Sequence, residues 1–160
     1  MSLDQYLSKS SILLGLEAET SSDVICQLGE TLFNAGLVKD SYVEAVINRE
    51  KTLPTGLPLD GEINVAIPHT DIEHVNKSAV AMATLAKPVT FQNMVVPDES
   101  INVHIVFLLA LDEPHAQIEM LQEVAGVVQN TDLLELLMTA TDPKEVLAAF
   151  AKSETDPKSN

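Results

Sequence analysis

The chain has 160 residues, 46% apolar and only 4% aromatic, so it is long enough to bury one core and must build it from aliphatic side chains. Nine basic residues against twenty-four acidic ones give a formal net charge of −15, which argues against nucleic acid as a partner, because phosphate neutralisation supplies most of that affinity. The longest apolar run, Ile105 to Leu111, is too short to cross a bilayer, and no basic segment precedes an apolar stretch at the start, so the expectation is a soluble cytoplasmic protein without signal peptide or membrane insertion.

In chain order, residues 1–9 read as a lead-in, and Ser11 to Glu17 carries Ile12, Leu13, Leu14 and Leu16 as a first strand. Ser21 or Ser22 is the expected N-cap of a helix with Val24, Ile25, Leu28, Leu32 and Phe33 at helical spacing and Gly36 at its close. Cys26, the single cysteine, excludes an internal disulfide, and its neighbours place it in this helix near the core. A second helix opens at Asp40 or Ser41, with Glu44 completing a capping box and Val43, Val46 and Ile47 as its apolar stripe. Residues 52–62, with two prolines and two glycines, form a loop that delivers the chain into a strand at Asn64 to Ile67. Ser78 to Leu85 reads as a buried strand broken by Lys87-Pro88, with a short extra strand at Val89 to Phe91. Pro97 to Ser100 is a turn.

Ile101 to Leu111 is apolar on both faces, as a central strand of a helix-covered sheet should be. A helix follows from Asp112 or Glu113, with Pro114 in its first turn and Ile118, Leu121, Val124, Ala125 and Val128 as its buried face. Two more helices are expected, one capped by Asp132 with Glu135 and one by the box Asp142-Pro143-Lys144-Glu145. The order implies one α/β domain over residues 1–152, a mixed and mostly buried sheet with helices on both faces, and a polar tail over 153–160.

Four histidines carry the chemical interest. Pro68 stops the strand at 64–67, and His69 stands immediately beyond it, where ligands bind in open α/β sheets. His115 follows the 101–111 strand in the same way, at a helix start whose free N–H groups suit an anion. If the two strands run parallel, both histidines emerge at one sheet edge. The alternative for each is a surface or capping histidine. His104 reads as a satisfied interior residue, and His74 as a solvent-facing one in a polar turn where Asp71 is available to orient His69. A zinc site from His69, His74, His115 and an aspartate lacks a recognised ligand spacing. No nucleophile elbow and no Gly-rich phosphate loop is present.

Arg49-Glu50, Pro54-Thr55-Gly56 and Val65-Ala66-Ile67-Pro68-His69, with His115 downstream, resemble the fructose/mannitol-type (type 2) enzyme IIA components of the bacterial phosphoenolpyruvate-dependent sugar phosphotransferase system. The resemblance covers about residues 5–152, and the stretch from Arg49 to Pro58 is similar to the galactitol-type branch. It implies a phosphotransferase in which His69 is the phosphorylated residue, Arg49 lies beside it and His115 is the second histidine of the site. Phosphoryl transfer asks chiefly for positioning and for charge stabilisation, which Arg49 suits as a permanently charged fork, with backbone donors at Thr55 and Gly56 as further phosphate ligands. No cofactor is implied. The implied partners are the phosphocarrier HPr as donor and a IIB component as acceptor, with the membrane component IIC reached through that complex. IIB in this branch usually uses a cysteine, a role for which Cys26 lacks the loop context, so the resemblance implies a free-standing IIA. Two departures are Thr70 and Glu62, where the family usually has small residues. A regulatory phosphoacceptor domain of the same fold, a metal-dependent hydrolase and a structural interaction module are the competing readings.

Overall fold

A computed structural model describes residues 3–59 and 62–155. The strands are β1 (Ile12–Leu16), β2 (Gly56–Leu57), β3 (Val65–Ala66), β4 (Ala79–Gln92) and β5 (Ser100–Ala110), and the helices are α1 (Ser21–Asn34), α2 (Tyr42–Thr52), α3 (Pro114–Val128), α4 (Thr131–Thr139) and α5 (Pro143–Thr155). They form one mixed sheet in the order β1-β4-β5-β3-β2. β1 runs parallel to β4 and β3 parallel to β5, while the β4–β5 and β2–β3 pairs are antiparallel.

Period-2 alternation divides the core into two layers. Val106, Leu108 and Ala110 of β5 join Ala79, Ala81 and Ala83 of β4 beneath Val24, Ile25, Leu28 and Leu32 of α1 and Tyr42 and Val46 of α2. Ile105, Phe107 and Leu109 point the other way, with Val80 and Met82, against Met120, Val124, Leu134, Leu137 and Phe150. The small alanines on the first face let α1 lie close to β4. On the second face Phe107 and Phe150 meet edge to face, with centroids 6.3 Å apart. The helix-covered mixed sheet and the doubly buried β5 expected from the sequence are both present.

Several boundaries differ, each for a local reason. Thr20, not Ser21 or Ser22, caps α1: its Oγ1 accepts from Asp23 N–H, and the Asp23 carboxylate accepts back from Thr20 N–H. Gly36, at φ +76°, closes α1 by donating its N–H to Phe33 while Leu37 N–H reaches the Leu32 carbonyl. Ser41 makes no capping bond to α2, because its hydroxyl is committed to His74. β4 is not broken at Lys87-Pro88; it continues to Gln92, and its pairing with β5 shifts register between Thr84 and Val89, where Ala86 to Pro88 are exposed. β2, inside the expected loop, exists through its pairing with β3.

α3 buries Ala116, Met120 and Val124, with Leu121 and Val128 packed against the same core as expected, whereas Ile118 and Ala125 are exposed, so the buried face is rotated slightly from the expected one. Asn130 rather than Asp132 caps α4 by accepting from Leu133 N–H. At α5, Asp142 accepts from Lys144 N–H and Glu145 reaches back to Thr141 N–H, one residue before the expected partner. α5 extends to Thr155, into the segment expected as tail, while residues 156–160 lie outside the described ones. Cys26 lies on α1 as expected but is exposed rather than near the core.

Candidate functional site

β3 is an inner strand paired with β5 through Val65↔Ile105 and Ala66↔Val106 in parallel register. Its end and the end of β5 therefore open on the same sheet edge. The Pro68 carbonyl still accepts from Leu109 N–H at 3.0 Å, so the chain leaves the ladder only at His69. Beyond it, Thr70 carbonyl accepts from Gln117 Nε2 of α3 at 3.4 Å. These bonds hold the turn of residues 68–70 between the end of β5 and the first turns of α3.

His69 is buried to 7% exposure, and its Nδ1 lies 2.9 Å from the Ile67 carbonyl oxygen. A carbonyl only accepts, so Nδ1 carries the proton and the neutral ring keeps its lone pair on Nε2. Burial lowers the His69 pKa from its ordinary 6.5, opposed by the bond to Ile67, with the Arg49 charge lowering it further and Asp71 raising it. The neutral, nucleophilic form is thus the one present near pH 7. Arg49, in the last turn of α2, places Nη1 3.8 Å from Asp71 Oδ1. Its Nε is buried with no hydrogen-bond partner, so the guanidinium keeps an uncommitted donor.

The remaining expected residues are arranged differently. His115 stands at the start of α3 with its ring largely exposed and its Nε2 2.6 Å from Glu119 Oε1. It shares the sheet edge with His69 but turns along its own helix. Thr55 is buried, and both its donors go to Glu50: N–H to Oε2 at 2.8 Å and Oγ1 to Oε1 at 2.9 Å. Gly56 carbonyl accepts from Met94 N–H. Thr55 therefore supports the loop instead of turning free donors toward a phosphate. Asp71 pairs with Arg49 and makes no hydrogen bond to His69. His74 Nδ1 lies 2.8 Å from Ser41 Oγ, so it ties the loop after His69 to the start of α2. His104 Nδ1 accepts from Asn64 N–H at 3.1 Å, a satisfied ring that pins the start of β3. Among the described residues no three His, Cys, Asp or Glu side chains are placed to hold a metal ion, so the zinc grouping does not assemble.

Tyr42 lay outside the sequence reading, and Glu50 entered it only as part of the Arg-Glu motif, without a role. Tyr42, buried on α2, donates its hydroxyl to the Leu109 carbonyl at 2.6 Å, and burial pushes its pKa far above the ordinary 10.0. Glu50 anchors Thr55, and burial raises its carboxyl above the ordinary 4.5 against the opposing pull of those two bonds and of Arg49. A Glu five residues before a Thr in a Pro-Thr-Gly loop was the available signal for this pair.

A family model described as phosphoenolpyruvate-dependent sugar phosphotransferase system, EIIA 2, matches residues 5–153. The chain belongs to this family. A galactitol-specific EIIA component from Escherichia coli K12 is 30% identical over 125 residues, covering 78% of this chain and 82% of the relative. An inferred PTS IIA (PtxA) from Streptococcus mutans superposes with a TM-score of 0.79 at 27% identity, over 98% of this chain and 97% of that one. The complex of mannitol enzyme IIA with phosphorylated enzyme IIB from Escherichia coli contains a chain matched with a TM-score of 0.74 at 29% identity, over 91% and 97%. This EIIA is a phosphoryl-transfer component that works through a phosphohistidine intermediate. No helix among its described residues is long and apolar enough to cross a membrane.

Proposed function

We propose that Nε2 of His69 accepts the phosphoryl group from phospho-HPr and passes it to a IIB component of a galactitol-type system, on the cytoplasmic side of the membrane. The observation that carries this reading is the bond from His69 Nδ1–H to the Ile67 carbonyl, which leaves one nucleophilic nitrogen in a buried ring next to a cation. The Nε2 lone pair attacks phosphorus while the bond between phosphorus and the donor nitrogen breaks, and the donor imidazole keeps that electron pair. Nδ1 retains its proton throughout, so the phosphorylated ring is a good leaving group for the second transfer. Arg49 stabilises charge on the equatorial oxygens, the chief electrostatic demand of phosphoryl transfer. His115 at the start of α3 serves as a second donor once its ring leaves Glu119. The galactitol-specific relative supports the branch, and the match to a IIA bound to phosphorylated IIB supports the acceptor.

The test is mass spectrometry after incubation with phosphoenolpyruvate, enzyme I and HPr, under conditions that preserve phosphohistidine. One acid-labile phosphoryl group on His69 is expected, and none in His69→Ala. An unlabelled wild-type protein alongside charged HPr, or a labelled His69→Ala, would overturn the reading.

A further inference from the structure

Arg49 and Glu50 are neighbours on the last turn of α2, but their side chains serve different ends. Arg49 pairs with Asp71 and its charge acts on His69, whereas Glu50 turns into the loop that follows the helix. Its two carboxylate oxygens take both donors of Thr55, at 2.8 and 2.9 Å. The Thr55 carbonyl in turn accepts from Ile67 N–H at 3.3 Å, and the Ile67 carbonyl accepts from His69 Nδ1–H at 2.9 Å. Four residues are thus joined in sequence by hydrogen bonds from a buried carboxylate to the reactive ring. We propose that Glu50 is a positioning residue for His69, setting its tautomer and ring direction through Thr55 and the backbone of Ile67. This rests on the reading of His69 as the phosphoryl acceptor.

The chain of bonds transmits geometry rather than charge. The Thr55 N–H and the Thr55 carbonyl belong to different peptide units, as do the N–H and carbonyl of Ile67, so no single amide is polarised from end to end. Glu50 is also absent from the charges that move the His69 pKa, which are those of Arg49 and Asp71. What Glu50 fixes is the place of Thr55. The β2–β3 ladder has only two registered pairs, Gly56↔Ala66 and Leu57↔Val65, so it holds the Ile67 peptide weakly by itself. A charge-assisted pair of bonds on a threonine at 2% exposure supplies the missing rigidity. Without it the Ile67 peptide is held from the β5 side alone, and the carbonyl that keeps the proton on Nδ1 loses part of its alignment with the imidazole. Misplacement on the scale of 1 Å costs about 100-fold in rate when a reaction depends on alignment.

The experiment reads the ring directly. Imidazole nitrogen NMR of the wild-type protein above pH 7 should show His69 with its proton on Nδ1. Glu50→Ala should move it toward a mixture of both tautomers, and should lower the maximal rate of labelling by saturating phospho-HPr about 10-fold with KM unchanged. Thr55→Val, which deletes one of the two bonds, should shift both readouts the same way by less and serves if Glu50→Ala does not fold. Thr55→Ser keeps both donors and should restore the wild-type tautomer and rate. Wild-type tautomer and maximal rate in the folded Glu50 and Thr55 variants, with only thermal stability lowered, would overturn the proposal. The NMR readout needs no phosphoryl donor. A wild-type protein that phospho-HPr fails to label would therefore sink the functional reading, while the spectra still decide the role of Glu50.

Discussion

The Nδ1–H of His69 and the carbonyl of Ile67 lie 2.9 Å apart across a turn that contains only Pro68 between them. Pro68 is held in turn, its carbonyl accepting from Leu109 N–H on β5. Leu109 is itself held further, since its carbonyl accepts the buried hydroxyl of Tyr42. The reactive ring is thus referenced to the central strand of the sheet and to α2 together. A loop residue with this many fixed neighbours pays little ordering entropy when a partner docks.

This relationship dictates which nitrogen reacts. Since Nδ1 carries the proton donated to Ile67, phosphorylation is expected on Nε2. One-bond phosphorus–nitrogen coupling in isotopically labelled phosphoprotein identifies the bonded nitrogen. A phosphoryl group on Nδ1 would require the Ile67 bond to break first and would contradict the orientation described here.

The electrostatics give a signed pH dependence. His69 should titrate below its ordinary 6.5, because burial disfavours imidazolium. As the pH falls below 6.5, the unfolded chain takes up a proton that folded His69 refuses, so this residue lowers stability progressively until the pH reaches its depressed folded pKa. His104, also lowered by burial, acts in the same direction. Glu50 acts oppositely: its raised carboxyl favours the folded state when protonated, and that stability is lost as pH rises from 4.5 through the folded value. Residue-resolved NMR titration separates the three. A His69 midpoint at or above 6.5 would contradict the burial described here.

Arg49 is expected to matter for rate and little for stability. Its ion pair with Asp71, 3.8 Å long and mostly solvated on the Asp71 side, is worth about 0–1 kcal/mol. Losing the cation beside a transferring phosphoryl group costs about 100-fold or more. Arg49→Ala should therefore slow labelling by that order while its urea midpoint stays near the wild-type value. Arg49→Lys should recover only part, because a point charge does not replace a planar fork. Labelling at the wild-type rate in Arg49→Ala would remove the residue from the mechanism.

How much of this was legible in the sequence follows from the range of the forces involved. The strand at 105–111 is buried on both faces, so its apolar run needs no context to be read. His69 was visible because Pro68 marks where the ladder must end. β2 was invisible because two residues have no periodicity, and only the pairing with β3 makes them a strand. β4 misled for the opposite reason: Pro88 lacks an N–H, but the register shift with β5 between Thr84 and Val89 accommodates it. In α3 the expected Leu121, Val124 and Val128 do face the core, but Ile118 and Ala125 also fit helical spacings, and only the fold decides that Ala116 and Met120 take their place. Ser41 has the composition of a cap, yet a histidine 33 positions away took its hydroxyl. Thr55 likewise looked like a phosphate ligand until Glu50 claimed both of its donors.

Gly56 yields the last prediction. A methyl group built there would stand 2.6 Å from the Gln92 carbonyl and 2.9 Å from Ile101 Cδ1. The carbonyl belongs to backbone at the end of β4 and cannot rotate away, so something must shift. The shift would fall on a segment with little slack: Gly56 carbonyl accepts from Met94 N–H, and its neighbour Thr55 is held by Glu50 and by Ile67. Gly56→Ala should therefore cost about 1–3 kcal/mol, the usual range for overpacking. It should also slow phosphorylation at temperatures where the protein remains folded, because the displaced backbone is the one that positions the Ile67 carbonyl. Urea unfolding and labelling by phospho-HPr at low temperature read the two effects separately. A destabilised variant with an unchanged labelling rate would show that the strain relaxes toward β4, away from His69. An unchanged stability would mean that the β4–β5 end yields freely, contrary to the packing of Gly56 against Ile101.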